Sequence, residues 1–315
     1  MHIKLIHIAA LAALATAGSG CSQNESGTTA SGVVAAIVAP STPDGAIAAS
    51  VKALRNNNVA ALVENALPPG ESAKLKTGWS RDINKEPVSA EDRKQFTETM
   101  AKLTAPGAED KIYAEIEPQL KEFDQKTAQQ MPMMIAMGQG FAQSAIQQSK
   151  DLTDVQKQQA EAMLGATAKW AGAVKFTDPA LVKGAIAAIC KTARELNLKS
   201  IDEARALSYD QAMQKAGIVL GGVKQVFALY GLNMDKALDS VKTETVSTAG
   251  DTAKVKVSYT AFDQPFTTDS DLVKVDGKWY GKQAIEQWNK RQQAEIAKAA
   301  APATTGGKPS EDTSK

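Results

Sequence analysis

Apolar residues step by three and four along much of this chain, the repeat of one helical face. Ile47, Val51 and Leu54 follow that spacing. So do Val182, Ile186, Ile189, Ala193 and Leu196, and again Ala212, Ala216, Val219, Val223, Val226 and Tyr230. Each stripe needs a neighbour to bury it, so the pattern predicts a packed helical bundle.

Local signals set the ends of these helices. Thr42-Pro43 reads as a cap followed by a proline at the first helical position. Asn56-Asn57-Asn58 interrupts the first helix, and Asn58 caps a second, short one that runs to Pro68-Pro69-Gly70. Four boxes of Ser or Thr with an acid or Gln three residues on mark further starts: Ser89 to Asp92, Thr153 to Gln156, Ser200 to Glu203 and Ser208 to Gln211. Thr177-Asp178-Pro179 supplies another start, and Gly231 a stop.

Near residue 240 the period changes to two. Ala253, Val255, Val257 and Tyr259 alternate with Lys254, Lys256 and Ser258, as in a half-buried strand. Gly250-Asp251 precedes them as a turn, and Leu272 to Val275, Asp276-Gly277 and Lys278 to Tyr280 read as a hairpin. Gln283 to Ala300 then reads as an amphipathic helix carrying Ile285 and Trp288. The expected fold is α+β and predominantly helical: a helical region over 44–239, then a three- or four-stranded antiparallel β-meander with a closing helix over 240–300.

Two pieces of this pattern, the opening helices Ala46 to Leu67 with their Asn57-Asn58-Val59 break and the ending Leu272 to Tyr280, resemble the nuclear-transport-factor-2-like superfamily, which includes small bacterial lipoproteins. The resemblance covers about a quarter of the chain and implies a helix packed into a curved sheet, with room for a cone-shaped pocket. A long helical insertion and a helix after the last strand depart from it. Such a fold hosts both enzymes and binding modules, so it implies no activity by itself.

The first twenty residues have a different character. Lys4 is followed by an apolar run from Leu5 to Ala17, interrupted by His7 and Thr16, and then by Ala17-Gly18-Ser19-Gly20 before Cys21. That is the anatomy of an export signal over residues 1–20, and the run is shorter than the ~20 apolar residues of a membrane-spanning helix. Gly18-Ser19-Gly20-Cys21 resembles the lipobox of bacterial lipoproteins, with Gly18 where that family usually has an aliphatic residue. As a whole the chain resembles an uncharacterised bacterial lipoprotein family. The resemblance implies cleavage before Cys21, acyl chains on that cysteine and attachment to a membrane. Ser22 in place of Asp implies the outer membrane, facing the periplasm. Residues 21–43, rich in Ser, Thr, Asn and Gly, are expected to act as a flexible tether, and residues 301–315 as a disordered tail.

Composition narrows the chemistry. Of 36 Lys+Arg and 35 Asp+Glu, the leader holds Lys4 alone, so a cleaved chain is electrically balanced and has no broad attraction for nucleic acid. His2 and His7 are the only histidines, and both lie in the leader. A cleaved chain therefore has no histidine for a triad, a dyad or a metal centre. Cys190 is the one cysteine besides Cys21. It follows Ile186 by four residues, which predicts a buried, unreactive thiol.

Few positions remain for function. Glu71-Ser72 resembles the Glu-Ser pair of lytic transglycosylases, which would make Glu71 the acid–base carboxyl of a cell-wall glycan hydrolase or lyase. The plainer reading is a solvated glutamate in a first helical turn. Met131, Met133, Met134 and Met137 surround Pro132. Four thioethers are soft ligands for Cu(I), but methionines also fill irregular cores and line grooves for partner helices. Glu115, Glu117, Glu122 and Asp124, interleaved with Lys121 and Lys126, read as a solvated face, and Gly138-Gln139-Gly140 lacks the third glycine of a dinucleotide loop. Trp79, Tyr230, Trp279 and Trp288 belong either to a pocket or to the core. No cofactor is called for. The expected role is that of a membrane-anchored envelope protein that binds a protein partner or a small apolar ligand, with the carboxylate-dependent glycan enzyme as the alternative.

Overall fold

A computed structural model describes residues 41–126, 129–150 and 152–300; the leader, Cys21, residues 21–40 of the expected tether and the tail over 301–315 lie outside the described residues. The chain forms α1 (Pro43–Arg55), α2 (Val59–Ala66), α3 (Pro69–Ile83), α4 (Ala90–Thr104), α5 (Ala108–Lys126), α6 (Met131–Gln148), α7 (Asp154–Ala173), α8 (Pro179–Leu196), α9 (Ile201–Arg205), α10 (Tyr209–Leu229) and α11 (Met234–Asp239). Strands β1 (Lys242–Ala249), β2 (Thr252–Ala261), β3 (Gln264–Val275) and β4 (Lys278–Gly281) follow, and α12 (Lys282–Ala300) closes the chain. The fold is thus α+β and mostly helical, ending in a four-stranded antiparallel meander of order β1-β2-β3-β4.

The capping residues act as their positions in the chain suggest. Thr42, Asn58, Ser89, Thr153, Asp178, Ser200 and Ser208 each accept a backbone N–H at the start of a helix. Thr153–Gln156 and Ser208–Gln211 form complete reciprocal boxes. Pro68-Pro69-Gly70 does more than end α2: Pro69 is the first residue of α3, where its missing N–H costs nothing.

In the sheet, Asp276 and Gly277 take φ of 49° and 80°, the left-handed pair a two-residue turn between right-twisted strands requires. The β2–β3 turn is made by Phe262 and Asp263, also at positive φ (52° and 56°). An aromatic in that region is strained, and the Phe262 ring is held there by Trp170, 5.9 Å away.

Three apolar clusters hold the molecule together. In the first, α1 lies on the sheet: Ile47 and Val51 meet Val255, Val257, Leu272 and Trp279. In the second, Val182, Ile186 and Cys190 of α8 pack on Ala108, Ile112 and Ile116 of α5. In the third, Val59 of α2 packs with Tyr209 and Met213 of α10 and with Trp79 of α3.

Two of the expected stripes are corrected. On α8 the buried positions are Val182, Ala185, Ile186, Ala188, Cys190 and Ala193, while Ile189 is exposed. On α10 the buried residues are Tyr209, Met213, Gly217 and Lys224, and Val219 and Val223 face outward. The packed side of α10 is turned by about one residue from its most apolar stripe. The cause is long-range: Asn57, in the left-handed region at φ 55°, presses its carbonyl onto α10. A Cβ on Gly217 would lie 2.4 Å from that oxygen. Only a face notched by Gly217 and Gly221 accepts the α1–α2 turn so closely.

Candidate functional site

Lys224 explains the rest of that turned face. Its side chain is buried, and its Nζ donates to Leu54 O and Arg55 O, each at 3.0 Å, and to Asn57 Oδ1 at 2.9 Å. These carbonyls lie at the end of α1, where Leu54 O also accepts from the Asn57 N–H at 3.2 Å, so a buried ammonium completes the cap of that helix. Asp235 of α11 supplies the counter-charge, and Arg55 pairs with both Asp235 (3.3 Å) and Asp239 (2.7 Å). The cluster joins α1, α10 and α11 and is fully committed to structure.

Beside it, the α1–α2 turn, α8 and α10 border an open groove of about 740 Å³. It is lined by Asn56, Asn57, Lys191, Glu195, Gln214 and Gln225 among others. Much of that lining already has partners: Asn57 accepts from Lys224, Asn58 caps α2, Asp210 pairs with Lys76, and Lys191 lies 3.8 Å from Glu195. No aromatic ring lines it.

The helix that stands out chemically is α6. From Thr127 to Ser149 the sequence contains no ionisable side chain, in a chain that is 23% charged overall. Met131, Ile135, Gln139, Ala142 and Ile146 are its half-buried side, and α6 packs against α7. The link is made by Ile135 against Gly172, by Gln147 hydrogen-bonded to Glu161, and by Lys157 donating to Gln147 O at 2.9 Å. Among the described residues nothing covers the opposite side. Met133 is 64% exposed, Met137 54% and Phe141 73%, and they follow one another at four-residue steps, with Met134 beside them.

This placement decides part of the methionine question. Met133, Met134 and Met137 share the open face, whereas Met131 turns to the half-buried side. The four are not core filler, since a helix without a single buried residue contributes little to a core. The open side does form an apolar ridge of the kind that docks against another apolar surface. Phe141, its most exposed member, escaped the reading of the methionine cluster, although its spacing from Met133 and Met137 was the signal.

The remaining candidates disperse. Glu71 sits in the first turn of α3 and pairs with Lys74 at 2.7 Å; it does not line the groove. Among the described residues no three His, Cys, Asp or Glu side chains group as a metal site would need. Lys121 and Lys126 pair with Glu117 (3.1 Å) and Glu122 (2.6 Å) along α5. Cys190 is fully buried, and burial pushes its thiol up from its usual range. Trp79 donates to Leu207 O (3.0 Å), Tyr230 joins Trp170 and Phe176, and Trp279 is in the sheet core. No described helix is long and apolar enough to cross a membrane.

Fold and surface together define a predominantly helical α+β protein with a charge-free apolar helix on its outside. Compared with known proteins, the chain matches no family model, no curated protein and no solved structure.

Proposed function

We propose that this protein is exported, anchored to the envelope through acyl chains on Cys21, and acts by binding another polypeptide through the open face of α6. The observation that carries the binding reading is the uncovered ridge of Met133, Met137 and Phe141 on a helix without charge. A large exposed apolar patch on a soluble body is costly and is usually kept for a contact. Methionine suits such a contact because its unbranched thioether adapts to an irregular surface. The address rests on the leader, the small residues before Cys21 and the polar segment after it. The outer membrane, facing the periplasm, is the location that Ser22 supports.

Two measurements test the two halves separately. Mass spectrometry of the mature N-terminus should find Cys21 as the first residue, carrying acyl mass; an intact leader or a free thiol would remove the anchor. For binding, a photo-crosslinker in place of Met137 should give a protein adduct in intact envelopes, while one at Glu98, on the charged α4, should not. Lipid adducts alone, or none, would contradict the binding reading.

A further inference from the structure

The α6 face is matched by a second uncovered face on the same chain. On α10, Val219, Val223 and Phe227 are 38%, 42% and 40% exposed and again follow at four-residue steps. Ile189 of α8, 45% exposed, belongs with them. Gly184 lies against Leu229 and Gly222 against Thr192, so α8 and α10 run antiparallel. At ~100° per residue from those contacts, Ile189 and Val219 and Val223 turn to the same side of the pair.

On α10 this second face carries little charge, Lys215 standing one step before Val219. From Ala216 to Met234 the only ionisable side chains are Lys224 and Tyr230, and Tyr230 is neutral at ordinary pH. The Lys224 ammonium is turned inward onto Leu54 O, Arg55 O and Asn57 Oδ1. Ridges at four-residue spacing on two helices interlock in the commonest mode of helix packing, crossing at about −50°.

Area selects the occupant. From the exposures given and the ~150–250 Å² of a large side chain, α6 offers roughly 500 Å² and the α8–α10 face roughly 300 Å². A stable interface takes about 800 Å² from each partner. Neither face reaches that alone, but the two together do. About a two-fold axis each copy contributes both, its α6 lying on the partner's α8–α10 face and the reverse. Resting on the reading of α6 as a binding face, we propose that its occupant is the α8–α10 face of a second copy of this chain.

Sedimentation of the purified mature chain tests this. The expected species at micromolar concentration has twice the monomer mass. Phe141→Glu and Val223→Glu, on opposite sides of the contact, should each raise the dimer dissociation constant about 100-fold or more. Val155→Glu, at an exposed α7 position off both faces, should leave it unchanged. If Val223→Glu fails to fold by circular dichroism, Phe227→Glu replaces it. A monomer at all concentrations, or a dimer indifferent to the α10 substitution, overturns the proposal. A monomer that still crosslinks from position 137 to a different polypeptide overturns it while leaving the binding reading intact. Binding of the unlipidated chain to neutral phosphatidylcholine vesicles, lost in Phe141→Glu, would overturn both.

Discussion

Lys224 is the residue on which the arrangement of α1 against α10 turns. Its Nζ supplies donors to two terminal carbonyls and one amide oxygen and sits beside Asp235, in a place no water-exposed lysine would occupy. Lys224→Met keeps the length and apolar stem but removes the ammonium from Arg55 O, Asn57 Oδ1 and Leu54 O, of which Leu54 O keeps the Asn57 N–H. Equilibrium urea unfolding should show a loss of about 2–3 kcal/mol, the range for a hydrogen-bonded charged group. Glu71 stands at the other extreme. Its pair with Lys74 lies on a surface turn, so Glu71→Gln should cost under about 1 kcal/mol. The same variant should leave any glycan-cleaving activity of the preparation unchanged; a loss confined to that variant would revive the glycan enzyme. Cys190 is fully buried with its thiol pushed up by desolvation, so its thiolate is scarce until high pH. A thiol reagent should therefore label the native chain far more slowly than the urea-unfolded chain, and equal rates would contradict the packing of α8 on α5.

At the level of the element, glycines on two helices should respond in opposite ways. Gly217 on α10 faces the Asn57 carbonyl at 2.4 Å from an added Cβ, so Gly217→Ala should destabilise by about 1–3 kcal/mol through overpacking. Gly140 on α6 has nothing within 4 Å, so Gly140→Ala should stabilise by up to about 1 kcal/mol through helix propensity. Thermal melts of the two variants check both signs. The same contrast shows what was legible in the chain. Caps, turns and strand alternation depend on neighbours a few residues away, and Ser208–Gln211, Asp276-Gly277 and Val255–Val257 behave as their local pattern says. The packed face of α10 was not legible, because Met213 and Leu220 are no more apolar than Val219 and Val223. What separates them is Asn57, about 160 residues earlier in the chain. On α6 nearly every side is apolar or small, so periodicity could mark a helix there but not which face stays open. Phe262 in a left-handed turn was equally hidden, since only the ring of Trp170 makes that conformation tenable.

At the scale of the whole molecule, the buried hydrophobic side chains gather in three clusters, and many charged side chains pair within or between elements. Arg194 holds Glu109 at 2.7 and 3.0 Å between α8 and α5, keeping that carboxyl below its ordinary range. A carboxyl lowered in the folded state contributes stability above its unfolded pKa that is lost as pH falls through the folded one. The acid limb of the unfolding profile should therefore flatten slightly in Glu109→Gln. Against that background, the longest charge-free stretch of the sequence is the one that contains α6. That helix is the working surface we propose for the anchored protein. The most direct measurement is the size at which the lipidated chain migrates after gentle solubilisation of the envelope. It should run well above its monomer mass, and Met137→Glu with Phe141→Glu should return it to the monomer position while its melting curve is unchanged. Identical migration of the two proteins would contradict the claim.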